Sequence, residues 1–147
     1  ICLRQNRFHE GKGKYNDTNV KKSYLFTLEQ VDYINKAAAL LRNKINNPKF
    51  FLWSNNIQSL PKDKFDFTFK EINPNNIDKN IDSRILSLFL MSTCKHFIVT
   101  ASTFNWWGAW LSQNNNKIIM RPSSEFFKEF KINNNDFWPL NWHKINP

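Results

Sequence analysis

Three short polar clusters, each at the end of an apolar run, carry the side chains of this chain that could do chemistry. Arg4 and Arg7 follow Ile1, Cys2 and Leu3; Ser54, Asn55 and Asn56 follow Phe50 to Trp53; Ser102 and Thr103 follow Phe97 to Ala101. A guanidinium at a strand end can fork onto phosphate oxygens and neutralise their charge. Hydroxyls and free backbone N–H groups delivered into a helix N-terminus make a ready anion site, suited to a phosphate or pyrophosphate. Simpler readings stand beside these. Arg4 could pair with a structural carboxylate, Ser54 or Asn55 could only cap a helix, and Trp106, Trp107 and Trp110, which follow the hydroxyl turn, could simply fill a core.

Positioning these clusters requires strands and helices in alternation. Thr27 with Gln30 reads as a capping box, and Val31, Ile34, Ala38, Leu41 and Ile45 recur at spacings of three and four, which predicts a helix over 27–46 after a long loop over 5–27. Phe50 to Trp53 form a fully apolar strand, and a short helix runs from Asn55 to Pro61. Residues 66–71 read as a further strand, Asp82 begins a helix reaching Lys95 and His96, and a strand over 97–100 leads into a helix over 105–112. A strand over 117–120 and a Phe-rich helix over 123–130 follow. Strands that are apolar throughout, instead of alternating, belong to a parallel sheet covered on both faces. The expected fold class is therefore α/β: a doubly wound, mostly parallel, Rossmann-like sheet. Ligands of such sheets bind beyond the carboxyl ends of the strands, where all three polar clusters fall.

Composition narrows the function without choosing it. With 147 residues the chain fits one domain, 1–147, and its 41% hydrophobic and 16% aromatic content excludes a disordered chain. The formal net charge of +9 predicts attraction to polyanions, whether nucleic acid, an anionic membrane or a nucleotide sugar. The basic residues are scattered, and no RNA-binding, zinc-finger or basic-block motif accompanies them. Two cysteines, Cys2 and Cys94, both in apolar surroundings, read as free thiols and not as a disulfide framework. His9, His96 and His143 have no partners at metal-ligand spacing, so no metal site is expected.

The segment LMSTCKHFIVTASTFNWWGAWL, Leu90 to Leu111, joins a CKH tripeptide, an apolar strand, two hydroxyl residues, a Phe and a WWGAWL helix. This pattern resembles the C-terminal signature of the bacterial α-1,2-fucosyltransferases, glycosyltransferase family 11, and the resemblance extends from Ile1 to about Ile145. CLRQNRF, at residues 2–8, resembles the family's motif of His, any residue, Arg, Arg, any residue, Asp or Asn, Tyr. Arg4 takes the first Arg position; Cys2, Gln5, Arg7 and Phe8 depart from the His, the second Arg, the acid and the Tyr. Ser87 stands where an acidic residue often precedes the apolar run, and Ala101 where Asn is common.

The resemblance implies transfer of L-fucose from GDP-β-L-fucose to a galactoside hydroxyl with inversion, in surface polysaccharide synthesis. Arg4 is expected to stabilise the leaving diphosphate, with Arg7 beside it. Ser102 and Thr103 would hold the β-phosphate and Phe104 or Trp106 would pack near the nucleotide. FFLWSNNI, at residues 50–57, resembles the family's strand followed by Ser and two acidic residues or Asn, so that, with Ser54 at the donor site, Asn55 or Asn56 would accept from a guanine N–H where related enzymes use an acid. Inversion also needs a base for the acceptor proton; His9 and Glu10 follow the Arg motif. No metal or other cofactor is implied, because Arg and backbone donors replace the cation. The resembling enzymes are about twice this length, so the chain is expected to be the C-terminal, donor-binding half of a GT-B-type transferase, cytoplasmic and peripheral to the inner membrane. As GDP-fucose and a galactose-containing glycan are the implied partners, nucleic acid is not. A reading of another class stays open: a non-catalytic module binding a nucleotide, a glycan or nucleic acid through exposed aromatics and positive charge.

Overall fold

The computed structural model describes residues 1–8, 17–126 and 134–147. Among these residues six strands alternate with four helices: β1 (Cys2–Leu3), α1 (Asp17–Lys44), β2 (Phe50–Ser54), β3 (Phe69–Glu71), α2 (Ser83–Ser92), β4 (Phe97–Ile98), α3 (Thr103–Leu111), β5 (Ile119–Pro122), α4 (Asn134–Phe137) and β6 (His143–Ile145). Every strand pairing is parallel. The strands form two three-stranded sheets, in the orders β1-β2-β3 and β4-β5-β6. Side chains join them at the β1 and β4 edges. Thr100 Oγ1 donates to the Cys2 carbonyl at 2.6 Å, and the buried Asn105 donates to the Ile98 carbonyl at 3.1 Å and to that of Cys2 at 3.4 Å. Laid edge to edge in this way, the strands run 3-2-1-4-5-6, the order of the doubly wound dinucleotide-binding fold, whose switch point lies between the first and fourth strands.

Both faces of the sheet are covered, as the fully apolar strands require. Leu3, Leu52, Ile98 and Met120 pack with Val31, Ile34, Ala37, Ala38 and Leu41 of α1. Their strand neighbours Phe97, Val99 and Ile119 point the other way, into a second cluster with Ala109, Trp138 and Trp142. This is the two-residue alternation of a strand with apolar groups on both sides. Full burial of each such side chain contributes about 1.5–3 kcal/mol.

Several elements differ from their sequence expectation. α1 begins at Asp17, ten residues before Thr27. Thr27 lies inside the helix, where its hydroxyl donates back to the Ser23 carbonyl at 2.9 Å, and Gln30 turns inward to the β1 end instead of closing a capping box. α2 stops at Ser92, short of His96. The short helix after Asn55 is a single 3-10 turn, Ile57–Ser59, and the strand over 66–71 is confined to Phe69–Glu71 because Phe65 and Phe67 turn into an aromatic cluster with Phe50 and Phe69. Of the helix expected over 123–130, Ser123 lies outside any helix, residues 124–126 form a turn, and 127–130 lie outside the described residues. Trp107 and Trp110 do not fill a core: they are 50% and 52% exposed.

Candidate functional site

The site is built where β1, β2 and β4 end. Immediately after β1 the chain turns sharply, with Asn6 in the left-handed region at φ 59°, a conformation that Asn tolerates better than most residues. Polar side chains on the inner face of α1 hold this turn from below. Gln30 donates its amide to the Arg4 carbonyl at 2.9 Å, and the Ser23 hydroxyl accepts from the Phe8 N–H at 2.9 Å. Phe8 packs edge-on against Phe26, with ring centroids 5.6 Å apart.

Gln5 then ties the β1 end to the β2 end. Its side-chain amide donates to Ser54 Oγ at 2.8 Å and to the Asn56 carbonyl, while its side-chain carbonyl accepts from Ser59 Oγ at 3.1 Å. Its backbone pairs reciprocally with the Asn55 side chain, N–H to Oδ1 at 2.7 Å and Nδ2 to the carbonyl at 3.1 Å. The residue standing in place of the motif's second Arg is thus a buried structural link. Asn55, expected at a base edge, has both ends of its amide committed to Gln5. Asn56 is the member of the pair whose side-chain amide makes no hydrogen bond among the described residues.

Beyond β4, Ser102 caps α3 through its backbone: its carbonyl accepts from the Trp106 N–H at 3.0 Å. Its hydroxyl makes no cap hydrogen bond. The hydroxyl and the first N–H groups of α3 are therefore left facing outward at the positive end of the helix.

These ends enclose one cavity of about 610 Å³, bordered by Arg4, Ser54, Asn55, Asn56, Ser102 and Phe104. Six of the residues expected at the site meet there. Arg7 and Thr103 are exposed and lie off its wall, and His9 and Glu10 lie outside the described residues. Trp106 is also away from the cavity. It donates its indole N–H to the Phe137 carbonyl at 3.0 Å, stacks on Trp110 at 5.1 Å and packs on Trp142 at 5.5 Å, which makes it a strut between α3 and the C-terminal segment.

The opposite wall was not read from the sequence. The N-terminal turn of α2 brings Arg84 and Ser87 to the cavity, with Asn73 and Asn75 from the loop before it. Asp82 caps α2 by accepting from the Arg84 N–H at 2.8 Å and is also forked by that guanidinium, at 3.0 and 2.6 Å. These bonds hold the Asp82 carboxyl far below the usual carboxylate range and offset the charge of Arg84. The available signal was the Asp82 to Arg84 spacing at the first turn of a helix following a strand, which places α2 at the same edge of the sheet. Cys2 and the buried Trp53 complete the floor; burial pushes the Cys2 thiol up to about 11. Among the described residues no group of three or more His, Cys, Asp or Glu side chains gathers that could hold a metal ion. The arrangement suits a nucleotide: guanidinium, hydroxyl and helix N-terminus for a diphosphate, amides and an aromatic ring for the rest.

A family model described as glycosyl transferase family 11 matches residues 9–146. An α-1,2-colitosyltransferase of Escherichia coli is 28% identical over 144 residues, 98% of this chain and 48% of that protein. An O-antigen biosynthesis glycosyltransferase, WbnK, also of Escherichia coli, is 46% identical over 41 residues, 28% of this chain and 14% of that protein. The chain thus spans about half the length of the colitosyltransferase, at 48%. No solved structure matches it.

Proposed function

The chain belongs to glycosyltransferase family 11, and from that membership we propose that it is the donor-binding half of a GT-B-type enzyme that transfers L-fucose from GDP-β-L-fucose to a galactose hydroxyl. The observation carrying this reading is the convergence of Arg4, Asn56, Ser102 and Phe104 on one cavity at the switch point of the sheet. In the transfer, the acceptor oxygen forms a bond to the anomeric carbon from the face opposite the diphosphate. The bond from that carbon to the β-phosphate oxygen breaks, and its electron pair leaves on the diphosphate. Arg4 and the Ser102 hydroxyl offset the charge that develops there. A base, His9 or Glu10 in this reading, takes the acceptor proton. Asn56, not Asn55, meets the purine edge. No metal is needed, because the guanidinium and the helix N-terminus supply the positive field.

A second donor is favoured by one observation, the similarity of the chain to the Escherichia coli α-1,2-colitosyltransferase. Colitose is L-fucose without its 3-hydroxyl, so the same nucleotide pocket would serve, and discrimination would rest on one sugar hydroxyl. The enzyme acts in surface polysaccharide synthesis, in the cytoplasm and peripheral to the inner membrane, where its basic charge matches an anionic leaflet. Among the described residues no helix is long and apolar enough to cross a membrane.

Calorimetric titration with GDP, ADP and UDP tests the donor assignment. GDP is expected to bind at least tenfold more tightly than the others; equal or absent binding overturns it. Turnover of GDP-fucose against GDP-colitose in the complete enzyme decides the sugar.

A further inference from the structure

One strand beyond the hydroxyl turn, the carboxyl end of β5 carries polar atoms that no group among the described residues satisfies. Arg121 is half-buried, its Nε is inaccessible to solvent, and that atom has no hydrogen-bond partner. One terminal nitrogen makes a long bond of 3.4 Å to the Pro122 carbonyl, and the guanidinium carbon lies 5.6 Å over the Trp138 ring. Among the described residues no carboxylate pairs with it. Burial pulls its pKa below the ordinary arginine value. Two residues on, Ser123 is 5% exposed, and its hydroxyl likewise has no partner. The Ser123 backbone N–H is already spent on the Ile145 carbonyl at 2.9 Å, so the side chain alone is available.

Strand register fixes where these groups lie. Phe97 pairs with Ile119 and Ile98 with Met120, and the ladder continues with the Val99 N–H donating to the Met120 carbonyl at 2.8 Å. That last bond sets Arg121 beside Val99, where the β4–β5 ladder ends and the chain turns toward Ser102, with Ser123 two residues farther along β5. Neither Arg121 nor Ser123 borders the cavity around Arg4. A partly desolvated guanidinium without a counter-charge is unfavourable, as is a buried hydroxyl without a partner, and a shared anionic ligand satisfies both. Arginine's fork fits the oxygens of phosphate or carboxylate, and the serine hydroxyl supplies a further donor.

We propose that Arg121 and Ser123 form an oxyanion-binding site for a phosphate or carboxylate group at the carboxyl edge of β5, next to the donor cavity but distinct from it. Two ligands carry such a group: the donor, through its diphosphate, or a second ligand bearing its own anionic substituent.

The test is calorimetric titration of the full chain with inorganic phosphate, repeated on R121Q, S123A and R4A. Phosphate affinity is expected to fall by about 10- to 100-fold in R121Q and by a smaller factor in S123A, as for loss of charge-assisted hydrogen bonds. The binding lost in R121Q should survive in R4A. If R121Q loses its native circular dichroism, S123A alone decides. Repeating the titration at saturating GDP separates the sources: competition assigns the site to the donor's diphosphate, and persistence assigns it to a second anionic ligand. Absence of phosphate binding in the wild type, or affinities unchanged in R121Q and S123A, overturns the site. A failure of GDP to bind would remove the donor assignment while leaving the phosphate titration intact.

Discussion

Gln30, in the middle of α1, donates its side-chain amide to the carbonyl oxygen of Arg4 at 2.9 Å. A fully buried helix residue thus fixes the backbone of Arg4, which borders the cavity. Replacing Gln30 with Leu strands that carbonyl but also removes Oε1, which itself has no partner. The stability loss should therefore stay near 1–2 kcal/mol, while GDP affinity falls more than the stability change explains. Urea unfolding alongside calorimetry checks it; unchanged GDP affinity would exclude a positioning role.

Asn55 and Asn56 are neighbours, but only the Asn55 side-chain amide is hydrogen-bonded among the described residues. Asn55→Ala breaks the reciprocal pair with the Gln5 backbone and should cost about 1–2 kcal/mol of stability. Asn56→Ala should leave stability within about 0.5 kcal/mol while narrowing the preference for GDP over ADP. The reverse pattern would return the base-edge role to Asn55.

Helices α2 and α3 approach closely at Gly108, where an added Cβ would lie 3.0 Å from Met91 Cβ. Gly108→Ala gains roughly 1 kcal/mol of helix propensity but overpacks the contact by about 1–3 kcal/mol, so the net effect is a modest loss. Because the contact is with Met91 Cβ, a Met91→Ala background should not relieve it. Thermal unfolding of the single and double variants measures this directly; a stabilised Gly108→Ala protein would show that the helices separate freely.

His96 accepts the Ile118 N–H at Nδ1, 3.1 Å away, which requires that nitrogen to be unprotonated. Burial, helped by Lys95, holds its pKa below the ordinary 6.5. The unfolded chain therefore takes the proton first. The stabilising contribution is complete above about 6.5, declines as pH falls through that value, and stops changing once pH passes below the folded pKa. His96→Asn keeps an acceptor without the titration, so its stability should fall less than the wild type's between pH 7 and pH 5.5 in urea melts; parallel curves would contradict this.

The alternation of strands and helices was legible because Phe50 to Trp53 and Phe97 to Val99 are apolar on both faces, and a sheet buried on both sides leaves that mark. The first ten residues of α1 were not, because Lys21, Lys22 and Asn19 look like loop and a Thr-x-x-Gln pattern imitates a helix start inside the helix. β6 escaped notice since only Ile145 of its three residues is buried. At the site, strand-end position was enough to gather Arg4, Ser54, Asn56 and Ser102. Sequence could not show that Gln5 would consume Asn55, since those two residues lie 50 apart and meet only through strand pairing. Nor could it show Arg121 without a counter-charge, which depends on what three-dimensional packing leaves nearby.

The seam between β1 and β4 carries a consequence for how the molecule holds itself together. Because the Cys2 carbonyl receives its cross-seam bonds from the Thr100 hydroxyl and the Asn105 amide, cohesion between the two three-stranded plates passes through two side chains and the core beneath them. The cavity draws Arg4, Ser54 and Asn56 from one plate and Ser102 and Phe104 from the other, so those two polar rivets also hold its two halves in register.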